Sequence, residues 1–146
     1  MNTAETVMHY LYQTTRSITK GINPRLEPSG LYSSEWAVIV ALKERAKMTQ
    51  AELALYMNIE PPAISKSLGQ LEKKGWISRL PGERDRREKY VALTEAALAE
   101  YPKWESVVGQ HRQEVLQRLS EEEQQQLAKY LKLLFENAEL CKERKR

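Results

Sequence analysis

Residues 49–94 run through two short helical patterns joined by a tight turn, then a strand, a loop crowded with arginines, and a second strand. That order is the layout of a winged helix-turn-helix, in which one helix enters a DNA groove and a basic hairpin reaches beside it. On this segment alone, DNA binding is the leading expectation.

Thr49 is placed to cap the first helix, with Glu52 three residues on as the acidic half of a capping box. Leu53, Tyr56 and Met57 fall on one face. Asn58 stands where the chain needs a left-handed backbone, which asparagine tolerates better than most residues. Pro61 and Pro62 suit the first turn of the next helix, because the amides they lack have no helical partner there. In that helix Ile64, Leu68, Leu71 and Gly75 share a face at helical spacing. Pro62, Lys66, Gly69 and Lys73 lie opposite, flanked by Ala63, Ser65 and Gln70. A helix that enters a groove close to phosphates needs such a small, polar, basic face.

Residues 76–80 alternate as a strand, Pro81 and Gly82 signal a turn, and Lys89–Leu93 returns as a second strand. The intervening loop, 83–88, carries Arg84, Arg86 and Arg87. Taken alone, a basic loop reads equally well as a solvated hairpin tip. Arginine also suits a narrow minor groove, where the negative potential is enhanced. Phosphate would repel Glu83, Asp85 and Glu88 unless they pair internally, so Asp85 is read as a partner that orients a wing arginine. Helix and wing together make a stronger signal than either alone.

These residues resemble the MarR family of bacterial transcriptional regulators. The likeness rests on LEKKGWISR at 71–79, similar to the family's helix end and first wing strand, and on DRREKYVALT at 85–94. The second stretch is similar to the family's Asp-x-Arg wing followed by Leu-Thr. The plan, one long helix before the winged core and two after, also matches. Ala97 stands where the family often has glycine, a change that simply continues a helix.

The resemblance implies a mainly α fold with a small β-hairpin wing (α+β). It implies a single domain over 1–146, with a winged-helix core at about 31–93 and dimerisation helices at 1–24 and 94–142. Carried onto matching positions, it makes Arg87 the leading minor-groove arginine, with Arg86 close behind and Arg84 beside them. Ser65 and Lys66 match the part of the recognition helix that contacts bases and backbone in the major groove. Thr49 and Gln50 begin the supporting helix, where amides and side chains grip phosphate. Gln70 and Lys73 complete the candidate DNA contacts, although Lys73 is equally readable as a solubilising charge.

A chain of 146 residues suits one domain with a core of its own. No apolar run approaches the ~20 residues of a membrane helix, and no basic-then-apolar export signal opens the chain, so a cytoplasmic protein is expected. The formal charge is +3, and its distribution says more than its size. Residues 47–93 carry 9 basic and 6 acidic side chains, against 5 and 4 before them and 9 and 10 after. So modest a footprint implies salt-sensitive affinity, with geometry supplying much of the specificity.

Outside the winged segment, Val7, Leu11, Ile18 and Ile22 form an apolar stripe, and Leu127, Tyr130, Leu131, Leu134, Ala138 and Cys141 form another. Pro102 interrupts the helical stretch 98–119 and is expected to bend it. Ser120 caps the next helix, with Glu123 three residues on. Such stripes can pack on the same chain's core, but one small winged domain has little core to offer helices of this length. In the family they pair across a twofold axis, so a homodimer is expected. It would face half-sites about one turn apart, ~10 bp, in a palindromic operator. Repression is more common than activation in the family and is the expected sign.

Tyr12, Tyr32, Trp36 and Trp104 are candidates for a ligand pocket where dimerisation and DNA-binding regions meet. Family members often bind small phenolic or aromatic carboxylate effectors at such a junction, whereas aromatic residues at helical spacing serve equally as core. An effector acts only through differential affinity for two arrangements. Cys141 is the only cysteine, and residues 1–21 hold none, unlike the first helix of the family's peroxide sensors. The thiol is read as a bystander, with an intersubunit disulfide as the alternative. His9 and His111 have no closely spaced ligand cluster, so neither a metal nor another cofactor is expected. The six glycines are scattered and no nucleophile has a recognisable acid–base partner, so an enzyme is not expected. Two other readings stay open. One is a winged-helix protein-interaction module, against which Lys66 and the three loop arginines argue; the other is a nonspecific DNA-binding architectural protein.

Overall fold

Asn2 opens the first helix, α1 (Thr3–Leu26), in a computed structural model that describes residues 1–144. The Asn2 side chain accepts from the Glu5 amide at 2.8 Å, and the Glu5 carboxylate accepts from the Asn2 amide at 2.9 Å. Two amides that a helix start leaves unpaired are thereby satisfied. Only the far end of α1 is buried. Ile22 and Leu26 enter the core, while Val7 and Ile18 are exposed and Leu11 is half-buried. The apolar stripe of this helix is divided between the core and open surface.

A short 3-10 turn (Glu27–Ser29) ends at Gly30, whose φ of +73° lets the chain reverse into α2 (Ser33–Arg45). The next strand has no strand signature in the sequence. Lys47–Thr49 forms β1 by pairing antiparallel with β3 (Lys89–Leu93), Met48 opposite Val91. The other side of β3 pairs with β2 (Ile77–Pro81), so the sheet has three strands in the order β1-β3-β2. The expected two-stranded wing is therefore rooted in a third strand. Met48, Ile77 and Val91 turn into the core and explain why so short a strand holds.

Between β1 and β2 lie α3 (Gln50–Met57) and α4 (Pro61–Lys73). Asn58 takes the left-handed conformation expected of it (φ 53°, ψ 47°), and Pro61 and Pro62 occupy the first turn of α4. Only the Thr49 half of the expected capping box forms: its Oγ1 accepts from the Glu52 amide at 3.1 Å. Thr49 also closes β1 opposite Tyr90, which commits its backbone to the sheet. The apolar face of α4 is carried by Ile64, Leu68 and Leu71, all buried. Gly75 does not share that face, because the helix stops first. The Gly75 amide bonds to the Glu72 carbonyl and the Trp76 amide to the Leu71 carbonyl, each at 3.0 Å. This closure needs a left-handed residue, and Gly75 has φ +82°.

Thr94 links that helix end to α5 (Glu95–Leu116). Its hydroxyl donates to the Gly75 carbonyl at 2.8 Å and accepts from the Ala97 amide at 3.2 Å. The cap places the start of α5 three residues earlier than residue 98, and the helix runs through Pro102 rather than being interrupted there. Trp76 meets Trp104 of α5 edge to face, ring centroids 4.9 Å apart.

The chain divides into two compact units, 1–109 and 110–146, and α5 crosses the boundary. The first holds the sheet and α1 to α4. The described part of the second holds the end of α5 and α6 (Glu121–Glu143). Here the full capping box forms: Ser120 Oγ accepts from the Glu123 amide at 3.1 Å and the Glu123 carboxylate from the Ser120 amide at 2.9 Å. No residue of α6 is buried. Leu127, Tyr130, Leu131 and Leu134 are exposed by 38–53%, and Leu133, Phe135 and Leu140 are exposed as well.

Candidate nucleic-acid interface

With Ile64, Leu68 and Leu71 turned inward, the geometry of a helix directs Ser65, Lys66, Gly69 and Lys73 away from the core. Ser65, Lys66 and Lys73 are exposed, and Gln70 is half-buried. A Cβ on Gly69 would meet nothing within 4 Å. Packing against other elements therefore does not require glycine there. Thr49 and Gln50, at the start of α3, are half-buried, and the Thr49 hydroxyl is engaged as the cap.

The wing loop, 82–88, is shaped by its own backbone. The Gly82 amide donates to the Glu88 carbonyl at 2.7 Å, and the Glu88 amide to the Asp85 carbonyl at 3.1 Å. A Cβ at Gly82 would collide with the Asp85 carbonyl, so the loop closes this tightly only around a glycine. Asp85 Oδ1 accepts from the Arg87 amide at 3.0 Å and from Arg87 Nε at 3.4 Å. The Arg87 side chain is 94% exposed, so the aspartate holds its base while the guanidinium projects outward. Arg84 and Arg86 are exposed too, and neither forms an ion pair among the described residues.

Two contacts invisible in the sequence hold this surface. Lys47 Nζ on β1 donates to Glu83 Oε1 at 2.7 Å, latching the start of the wing loop to the edge of the sheet. That hydrogen bond, and then the charge behind it, holds the Glu83 carboxyl below its ordinary pKa and raises that of Lys47. The second is an ion pair between Glu35 and Lys74, 2.7 Å at its shortest, behind the end of α4. Both pairs join residues 36 or more positions apart, so no local motif could have revealed them.

The aromatic candidates separate. Trp104 is 1% exposed and Trp36 8%; they belong to the core, against Trp76 and Tyr101 respectively. Tyr12 is exposed on α1, with the Arg16 guanidinium 5.9 Å from its ring. Tyr32 lines a cleft. That cleft, of about 680 Å³, runs beside α4 and is bordered by Asn23, Gly30, Gln70, Lys73 and Lys74. A smaller one, about 440 Å³, shares Tyr32 and Gln70 and reaches Lys66. Spacing shows Trp36 and Trp104 as aromatic but not as buried, because the rings they pack against come from distant segments. Among the described residues, no three His, Cys, Asp or Glu side chains gather as a metal site, and Cys141 is exposed as a free thiol.

An exposed small basic helix face beside an arginine wing is an arrangement that other proteins share. The MarR family's sequence profile matches residues 31–89. The chain is 34% identical over 130 residues to YwoH of Bacillus subtilis, an uncharacterized HTH-type transcriptional regulator, covering 89% of this chain and 94% of that one. The chain belongs to the MarR family. The crystal structure of the transcriptional regulator PA3341 superposes with a TM-score of 0.81 at 31% identity, over 91% of this chain and 98% of that one. A cysteine-to-serine mutant of MarR from E. coli, solved in complex with operator DNA, shares the fold at a TM-score of 0.79 and 24% identity, covering 92% and 99%. This MarR-family chain is a DNA-binding transcriptional regulator built on a winged helix. No helix among its described residues is long and apolar enough to cross a membrane.

Proposed function

We propose that this MarR-family regulator works as a homodimeric repressor in the cytoplasm, reading a palindromic operator with α4 in the major groove and the wing beside it. The observation that carries the reading is the exposed pairing of α4's small basic face with an arginine wing whose base is held by Asp85. Lys66 and Ser65 contact bases and backbone, with Gln70 and Lys73 at the flank. Arg87 reaches the minor groove, and Arg84 and Arg86 support it. Thr49 and Gln50 present the start of α3 to phosphate.

Dimerisation is supported by the large apolar side chains that α6 leaves exposed and by the open half of the α1 stripe. A twofold dimer presents two recognition helices to half-sites about one turn apart, ~10 bp. Repression follows from the family likeness, and the sign itself depends on where the operator lies relative to a promoter. A small aromatic or phenolic effector would find Tyr32 at the cleft whose wall includes Gln70 and Lys73 of α4. Occupation of that cleft bears on the helix that reads DNA.

Selection from a randomised duplex pool at near-physiological salt tests the reading. A recovered palindrome supports a dimeric specific regulator, binding without a motif supports an architectural role, and no binding supports a protein-interaction module. Arg87→Ala and Lys66→Ala should each weaken binding to the selected duplex at least about tenfold. Indifference of both variants would contradict the assignment of the surface.

A further inference from the structure

Glu35, in the first turn of α2, is the only acidic side chain buried among the described residues, with 0% exposure. Its partner lies at the end of the recognition helix. Lys74 Nζ donates to Glu35 Oε1 at 2.8 Å, to Glu35 Oε2 at 2.7 Å and to the Gly30 carbonyl at 2.8 Å. All three ammonium protons are thereby used. The Tyr32 ring lies 5.2 Å from the same nitrogen, and the Tyr32 amide donates to Glu35 Oε1 at 2.9 Å.

We propose that Lys74 and Glu35 are positioning residues for DNA recognition, fixing the seat of α4 against α2. This inference rests on the reading of α4 as the recognition helix. Ile64, Leu68 and Leu71 hold the helix by burial, which is non-directional and tolerates a small slide or roll. The hydrogen bonds of Lys74 are short, charge-assisted and aimed at fixed acceptors, so they select one seat. Their anchors are themselves fixed: Gly30 by its left-handed turn, and Glu35 by its bond to the amide at the start of α2. Stability alone does not explain the pair: Glu35 is buried while the Lys74 side chain keeps 31% exposure, and a well-packed apolar pair commonly serves such a site as well or better. A displacement of α4 moves every side chain of its outer face together. Loss of the pair therefore costs discrimination between sequences more than attraction to phosphate.

The test compares two duplexes at one salt concentration: the one recovered by selection, and a scrambled duplex of the same composition. Glu35→Gln keeps the shape and removes the charge. The double variant Glu35→Gln with Lys74→Met removes the ammonium without leaving a bare buried carboxylate, and Lys74→Arg keeps a cation at the site. Binding is measured below the thermal transition of each variant, read by circular dichroism. Glu35→Gln and the double variant should lose about tenfold on the selected duplex while the scrambled one changes little, and Lys74→Arg should retain most of the preference. Unchanged preference in the folded variants would overturn the proposal and leave the pair a purely structural contact. Equal loss on both duplexes would overturn it too, making Lys74 a phosphate contact. A wild-type protein that binds both duplexes alike refutes the operator reading itself, and this proposal with it.

Discussion

At Gly69 the chain gives up helix stability without any packing reason of its own. Open space surrounds the position, and glycine inside a helix costs about 0.5–1 kcal/mol relative to alanine. If α4 reads DNA as proposed, close approach of the duplex supplies the missing reason, since a Cβ there would point at whatever the outer face of α4 meets. Gly69→Ala should therefore raise the stability measured by urea unfolding by that amount and weaken binding to the selected duplex several-fold. Higher stability with full affinity would show that DNA does not come close at this point. Gly82 is the opposite case. There the crowding comes from the wing's own Asp85 carbonyl, and the glycine is needed before any DNA arrives.

The wing is an element with an electrostatic hinge. Glu83 has a lowered pKa, so its contribution is in place above the unfolded-state value and is lost as pH falls through the folded one. Lys47 has a raised pKa, so its contribution is in place below its unfolded-state value and is lost as pH rises through the folded one. The latch is thus closed across neutral pH and opens at the acidic and alkaline edges. Both side chains are exposed, so the consequence is local mobility rather than global unfolding. Amide-exchange protection of residues 83–88 should fall below the ordinary carboxylate range in the wild type. In Lys47→Met it should be low throughout and nearly flat with pH. Equal protection in both proteins would show that backbone closure around Gly82 suffices to hold the wing.

For the whole molecule the telling surface is α6. Ser120 and Glu123 start this helix as firmly as any in the chain, yet its leucines, Tyr130 and Phe135 stay exposed. Surface of that kind is unusual for a monomer. Leu131→Lys with Leu134→Lys should convert a dimer into a monomer in sedimentation velocity while leaving helical content largely intact. The monomer should also lose affinity for the full palindrome far more than for a half-site, because the second recognition helix no longer binds as part of the same body. A double variant that stays dimeric would place the subunit contact elsewhere.

Much of the winged segment could be read in the residues because its signals are local. Asn58, the two prolines after it and the Lys89–Leu93 strand are short-range chemistry, as is the Ser120–Glu123 box outside that segment, and each takes the expected form. Structure departs from the local signal where a long-range partner decides. Lys47–Thr49 is a strand only because β3 lies beside it, and the end of α4 comes before Gly75 because Thr94 and Trp76 close over it. By spacing, Trp36 and Trp104 suit pocket and core equally; Tyr101 and Trp76 set them in the core. The Lys47–Glu83 latch and the Glu35–Lys74 pair needed the fold as well. Spacing along a chain governs which side chains share a helix face or a turn, because those distances are set by backbone geometry. Which distant charge meets which, and which aromatic ring goes dark, is set by the packing of the core, and no local pattern encodes it.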